Sequence, residues 1–212
     1  MDLSPLELRV LGCLMEKQIT TPDQYPLTAN SLRLACNQST NRHPVVDYGE
    51  HDISSASTTL RDRGLTRVVY SPSNRAAKYR HIADEVLDLS SGAQAVLTVL
   101  ALRGAQTVGE LKTRTERMHA FDTLEAIDAC LEALATRPDP LVVRLPRRPG
   151  QKEERFAHLL GGPIDLDAIG ADESTPTSPR LDRVNDVTNR VDQLEQRVSE
   201  LEAVIDQLRV LL

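Results

Sequence analysis

Between Leu3 and Leu160, apolar residues recur at helical spacing in six runs, and after the third and sixth runs the spacing shortens to that of strands. The first helix opens at Ser4-Pro5-Leu6-Glu7, a capping box with proline in the first turn, and its core face is Val10, Leu11 and Leu14. Pro22 and Pro26 flank Tyr25 in an extended connector. Thr28 caps the second helix, with Leu27 and Leu32 as a hydrophobic staple. Asp52 is expected to cap the third, which turns Ile53, Ala56 and Leu60 inward and stops at Gly64. Val68-Val69-Tyr70 and Lys78-Tyr79-Arg80 then read as strands around the turn Ser71 to Asn74.

The same order returns downstream. Ser90 stands where Ser4 stood, and Val96, Leu97 and Leu100 match Val10, Leu11 and Leu14. Thr107 with Glu110 and Asp122 with Glu125 are two further capping boxes, and Leu124, Ile127, Leu131 and Leu134 are the expected inner face of the sixth helix. A strand at Leu141 to Leu145 leads into a Pro/Gly turn, Pro146 to Gly150, and returns along Arg155 to Leu160. Both hairpins end on histidine, at His81 and His158. Three helices and a two-stranded wing define a winged helix-turn-helix. The expected class is therefore α+β, mostly α, with tandem winged helix-turn-helix domains at 1–86 and 87–162.

Composition changes after the second hairpin. Residues 163–179 are rich in Gly, Pro, Asp, Ser and Thr and read as a flexible acidic linker. Residues 180–212 carry a heptad pattern. Val184, Val191, Val198, Ile205 and Leu212 hold one seam position, and Val187, Leu194, Leu201 and Leu208 hold the other. β-Branched residues at the first position and mostly Leu at the second favour a parallel two-stranded coiled coil, hence a homodimer. The alternative is a single amphipathic helix packed on its own domain.

Four stretches carry a family resemblance: ITTPDQYPLTAN from Ile19 to Asn30, ACNQSTNRHPV from Ala35 to Val45, LVVRLPRRPG from Leu141 to Gly150, and RFAHLL from Arg155 to Leu160. Together they resemble the YceH-like family of uncharacterised bacterial proteins over about residues 1–162. The resemblance implies a bacterial cytoplasmic protein with two tandem winged helices, and it implies no activity and no site residues. One departure is Ala93, which stands where the family's helix usually has Glu and leaves that cap weaker.

Charge decides which part of such a protein meets a polyanion. The net charge is -6, yet residues 1–86 and 87–162 each hold ten cations and ten acids, so the acidic excess lies after residue 162. Any DNA-binding face is then a local patch. The third helix carries Ser54, Ser55, Ser57, Thr58 and Arg61 opposite its apolar face, groups able to approach base edges and phosphates. From Arg63 to Ala83 there are five cations, Arg63, Arg67, Arg75, Lys78 and Arg80, and no acid. The sixth helix instead shows Glu125, Asp128 and Glu132, which phosphates would repel. These features nominate Ser54, Ser57, Thr58, Arg61, Arg63, Arg67, Arg75, Lys78 and Arg80 as DNA-binding residues. An ordinary solvated hairpin is the plainer reading of the wing cations. Asn37, Asn41, Arg42, Arg147 and Arg148 are candidate phosphate contacts. The polar loop at 37–42 fits equally a turn held by side-chain-to-backbone bonds.

Nothing points to catalysis. The five histidines lack ligand spacing, no cysteine lies near one, and neither a phosphate-cradling glycine loop nor a nucleophile elbow is present. No enzyme activity, metal or cofactor is expected. Cys13, Cys36 and Cys130 read as buried hydrophobes of a reducing cytoplasm. The start lacks the pattern of a signal peptide, and no apolar run approaches the ~20 residues of a membrane span. The expected function is duplex DNA binding by the first domain, with the second positioning it or meeting a protein. The rival expectation is a tandem winged-helix scaffold that binds proteins alone.

Overall fold

The computed structural model describes residues 1–71, 74–147 and 151–164, with side chains from 71 to 76 outside that description. The linker beyond residue 164, the whole heptad run, Arg148 and the Arg75 side chain lie outside the described residues.

Helix α1 spans Pro5–Thr20, and the capping box is present: the Ser4 hydroxyl accepts the Glu7 N–H, and the Glu7 carboxylate accepts the Ser4 N–H. A 3-10 turn at Pro22–Gln24 leads to strand β1, Leu27–Thr28. Thr28 caps α2, Ala29–Cys36, and α3 follows at Glu50–Asp62. Strands β2, Thr66–Ser71, and β3, Asn74–His81, form a hairpin with β3 paired also to β1, giving the antiparallel order β1-β3-β2. A single turn of helix, α4 at Ala83–Val86, connects to the second series. That series is α5 (Ser91–Arg103), an isolated bridge between Gln106 and Phe156, α6 (Val108–Thr115), α7 (Leu124–Ala135), β4 (Val142–Leu145) and β5 (Arg155–His158). The element order of residues 5–81 thus recurs across 91–158, with the bridge in the place of β1. The fold is α+β, mostly helical with small antiparallel sheets. Among the described residues no helix is long and apolar enough to cross a membrane.

Two helix starts differ from the sequence expectation. α3 begins after Gly49, and Asp52 lies in its first turn, where its carboxylate accepts the Gly49 N–H at 2.9 Å. A carboxylate before an apolar run suits either position, since both receive free N–H groups. At α7 the cap is Thr123 rather than Asp122, its hydroxyl accepting the Ala126 N–H at 3.2 Å. Leu124 is then 47% exposed and leaves the inner face, which keeps Ile127, Leu131 and Leu134.

Val10, Leu11 and Leu14 of α1 and Val96, Leu97 and Leu100 of α5 lie in one continuous core. The two helices cross at Gly12, where an added Cβ would sit 3.0 Å from the Leu102 side chain and 3.4 Å from Ala101. The ends are tied as well: the Leu3 N–H donates to the Leu160 carbonyl, and Asp2 bridges Gly161. Met1–Leu166 is therefore one compact unit, and the expected boundary at 86/87 runs through it. Because α5 is covered by its own repeat and by α1, it is buried on nearly all sides from Gly92 to Leu100. Gly12→Leu should cost about 1–3 kcal/mol by overpacking this crossing. Gly109→Ala, at an exposed helical position with open space, should instead gain up to about 1 kcal/mol from helix propensity. Urea midpoints of the two variants check both signs.

Candidate nucleic-acid interface

Register decides which hairpin cations share a face. In the β2–β3 pair Arg67 is opposite Arg80, and Val69 is opposite Lys78. Because side chains alternate along strands, Arg67, Lys78 and Arg80 project from one face, while Thr66, Val68, Tyr79 and His81 project from the other. The second set is turned toward the helices: the Thr66 hydroxyl donates to the Ser57 carbonyl of α3, and the His81 ring meets Gln18 of α1. The cations therefore occupy the face turned from the core.

The face is less uniformly basic than a count along the chain suggests. Arg80 donates to Glu85 of α4 at 2.8 Å, and Arg61 donates to its neighbour Asp62 at 3.1 Å. Among the described residues, Arg63, Arg67 and Lys78 have no carboxylate within ion-pair distance. Glu85 lies just past the acid-free stretch and folds back onto it.

On α3, Ser55, Thr58 and Arg61 are exposed, and Ser54 is half-buried. Ser57 is a correction: it is 1% exposed, and its hydroxyl donates to the Ile53 carbonyl at 2.7 Å, so it presents nothing to a ligand. Thr58 and Thr59 likewise donate to the carbonyls of Ser54 and Ser55, which leaves their oxygens as outward acceptors. Glu50 and Asp52 in the first turn put negative charge at the start of this helix.

The loop candidates turn inward. Arg42 is 6% exposed and forms a two-point pair with Glu16, 3.1 Å from Oε1 and 2.6 Å from Oε2. Its Nε donates to the Ala35 carbonyl, and its other nitrogens reach Asn41 O and Gln38. Burial pushes the Glu16 carboxyl up, but the Arg42 hydrogen bonds and charge outweigh this and hold it below the usual carboxylate range. Asn41, at φ 59, accepts from Arg103 of α5. Asn37 closes a turn by accepting the Tyr48 N–H and donating to Asp47 and the Tyr48 carbonyl. Arg9 donates to the carbonyls of Cys36 and Pro44, and the His43 N–H donates to the Leu102 carbonyl. Asn37, Asn41 and Arg42 thus hold the α2–α3 turn, and Arg42 is not available to a phosphate.

The second repeat is built differently. α7 exposes Glu125, Asp128 and Glu132. Arg144 of β4 reaches 3.0 Å from Glu154, 3.7 Å from Asp128 and 4.0 Å from Glu132, and lies 5.0 Å over the Phe156 ring. Arg147 is exposed.

Sequence reading missed a buried polar cluster between the repeats. The Gln18 side-chain oxygen lies 2.7 Å from His81 Nε2 and accepts from Gln94 at 2.8 Å. His81 Nδ1 has no hydrogen-bond partner, although the Asp84 carboxylate is 3.4 Å away. Burial lowers the His81 pKa to about 4 against the pull of Asp84, and burial alone lowers that of His158, also to about 4. The equivalent strand-end histidines were the only available signal. Among the described residues no cluster of three or more His, Cys, Asp or Glu could hold a metal ion.

Residues 3–151 match the model of a family described as "Protein of unknown function, DUF480". A UPF0502 protein of Geobacter sulfurreducens is 51% identical, covering 78% of this chain and 75% of its own. The UPF0502 protein YceH of Escherichia fergusonii is 44% identical over 90% of this chain and 91% of its own, and one from Opitutus terrae is 47% identical over 85% and 78%.

Proposed function

We infer that this chain, which belongs to the DUF480 family of proteins of unknown function, is a non-enzymatic bacterial DNA-binding protein of the kind that regulates transcription. Each repeat is read as a winged helix-turn-helix. The order α1-β1-α2-α3-β2-β3, with β3 between the other two strands, supports this, as does its recurrence from α5 to β5.

The observation that carries the reading is the outward face of the first hairpin, where Arg67 and Lys78 stand without acidic partners among the described residues. In this reading they hold phosphates, while Ser55, Thr58 and Arg61 approach base edges from α3. With its hydrogen committed to Ser54, Thr58 would serve as an acceptor and prefer an exposed amino group of adenine or cytosine. The heptad run supports two chains acting together, which raises apparent affinity if both reach the same duplex.

Fluorescence anisotropy with a mixed-sequence duplex, at low and moderate salt, tests the reading. Arg67→Glu with Lys78→Glu should weaken binding about a hundredfold at low salt and flatten the salt slope by about two. Absence of binding by the parent protein at micromolar concentration sinks the proposal.

A second reading has its own support in α7. Its carboxylates and the Arg144 cluster would repel phosphates and suit a basic protein surface. A chain that ignores DNA but captures a partner through Asp128 and Glu132 would be a scaffold.

A further inference from the structure

We propose that Cys13 and Cys36 are a reversible dithiol–disulfide pair, oxidised by a hydroperoxide, whose closure resets the α2–α3 turn. The chain has three free cysteines, and the packing of α2 on α1 brings two of them together in the core. The Cys13 thiol donates to the Ala35 carbonyl at 3.3 Å and lies within hydrogen-bonding reach of the Cys36 thiol. Cys130 is half-buried on α7, in the second repeat. Buried thiols surrounded by hydrocarbon alone are inert. This pair has guanidinium neighbours: Arg42 Nε donates to the same Ala35 carbonyl at 3.1 Å, and Arg9 donates to the Cys36 carbonyl at 3.0 Å. Burial disfavours a thiolate at Cys13. The Cys36 hydrogen bond and the charges of Arg42 and Arg9, opposed by Glu16, nevertheless draw its pKa below the ordinary thiol value. The Cys36 thiol is pushed up by its hydrogen bond to Cys13 and by burial. Cys13 is therefore the attacking sulfur and Cys36 the resolving one.

The Cys13 thiolate attacks one peroxide oxygen, the O–O bond breaks, and the leaving alkoxide or hydroxide takes up the proton that Cys13 released. The Cys36 sulfur then attacks the sulfenic acid at Cys13. An S–S bond forms, the S–O bond breaks, and the departing hydroxide takes the Cys36 proton to become water. Two electrons pass from the sulfur pair to the peroxide, and a small dithiol returns them by thiol–disulfide exchange. Both thiols are fully covered, so local opening of α2, a helix of eight residues, sets the rate. Closure removes the S–H donor from the Ala35 carbonyl and draws the two sulfurs from contact to bonding distance. Cys36 ends α2, so this displacement falls on the turn that Asn37, Arg42 and Tyr48 hold.

The full chain is treated with equimolar hydrogen peroxide in native buffer, and its thiols are counted after unfolding without reductant. Titratable thiols should fall from three to one per chain, with no covalent dimer, and the survivor should be Cys130. Peptide mass spectrometry should find Cys13 joined to Cys36, lighter by two hydrogen atoms. The amide signals of Asn37 and Tyr48 should shift on oxidation and return with dithiothreitol, while those of Glu125 and Asp128 on α7 stay in place. Cys130→Ser should leave the linkage unchanged, and Cys36→Ser should hold Cys13 as a sulfenic acid that dimedone traps. The parent and Cys130→Ser carry the test even if Cys36→Ser fails to fold. No loss of thiols, linkage to Cys130, or linkage no faster in native buffer than in urea overturns the pair. A linkage that leaves the turn amides unmoved overturns its effect on the turn. No DNA enters the experiment, so its outcome is independent of duplex binding.

Discussion

Arg42→Ala is expected to lower the unfolding free energy by about 3–5 kcal/mol, because it strands a partly buried carboxylate. Glu16 would keep its charge with its two-point partner gone, and the carbonyls of Ala35 and Asn41 would lose a donor. For a unit of this size the melting temperature should drop by roughly 10 °C. Desolvation explains why the cost exceeds that of a surface pair: the Arg42 side chain is fully covered and that of Glu16 is 14% exposed. Urea denaturation of Arg42→Ala, Glu16→Ala and the double variant separates the causes. If the stranded charge dominates, the double variant should recover much of the loss. Equal loss in single and double variants would mean that the backbone contacts matter more than the ion pair.

Acid should destabilise the fold between about pH 6.5 and pH 4, through His81 and His158. Both are buried and neutral in the folded chain with pKa values of about 4, while in the unfolded chain they titrate near 6.5. Within that window the unfolded state binds protons that the folded state refuses. Stability is therefore complete above pH 6.5, declines as pH falls, and levels off for these groups below about pH 4. Each histidine accounts for up to about 3 kcal/mol over the interval. The groups facing His81 are Gln18, Gln94, Asp84 and the Tyr25 hydroxyl that accepts its backbone N–H, with the charges of Arg80 and Glu85 also acting on the ring. Asp84 favours protonation, and burial prevails over it. Glu16, whose pKa is lowered, adds a further loss on the acid side of the usual carboxylate range. Urea midpoints measured from pH 7 down to pH 4 should fall steadily, and His158→Gln should show a shallower decline. A pH-independent midpoint across that range would contradict the burial assigned to these rings.

The fold was largely legible because capping chemistry is local. Ser4, Thr28, Ser90 and Thr107 accept N–H groups at the starts of their helices, as their spacing predicts. Asp52 and Asp122 misled by position alone, since acids suit the cap and the first turn alike. The packing of α1 on α5 is written in the α5 sequence: Ala93, Ala95, Val96, Leu97, Val99, Leu100 and Leu102 surround their helix, a pattern of burial on all sides. The candidate interface was legible only in part. Residue types place Arg67 and Lys78 on a basic hairpin, yet the approach of Glu85 to Arg80 and the burial of Ser57 and Arg42 depend on distances that no count along the chain contains.

The Gly12 crossing limits how this protein can be dissected. A fragment ending at residue 86 would lose Ala101 and Leu102 from the surface of its first helix, and with them the carbonyl that holds His43. Its α2–α3 turn would be released together with newly wetted hydrocarbon. Studies of either half are better served by point variants in the intact chain than by truncation.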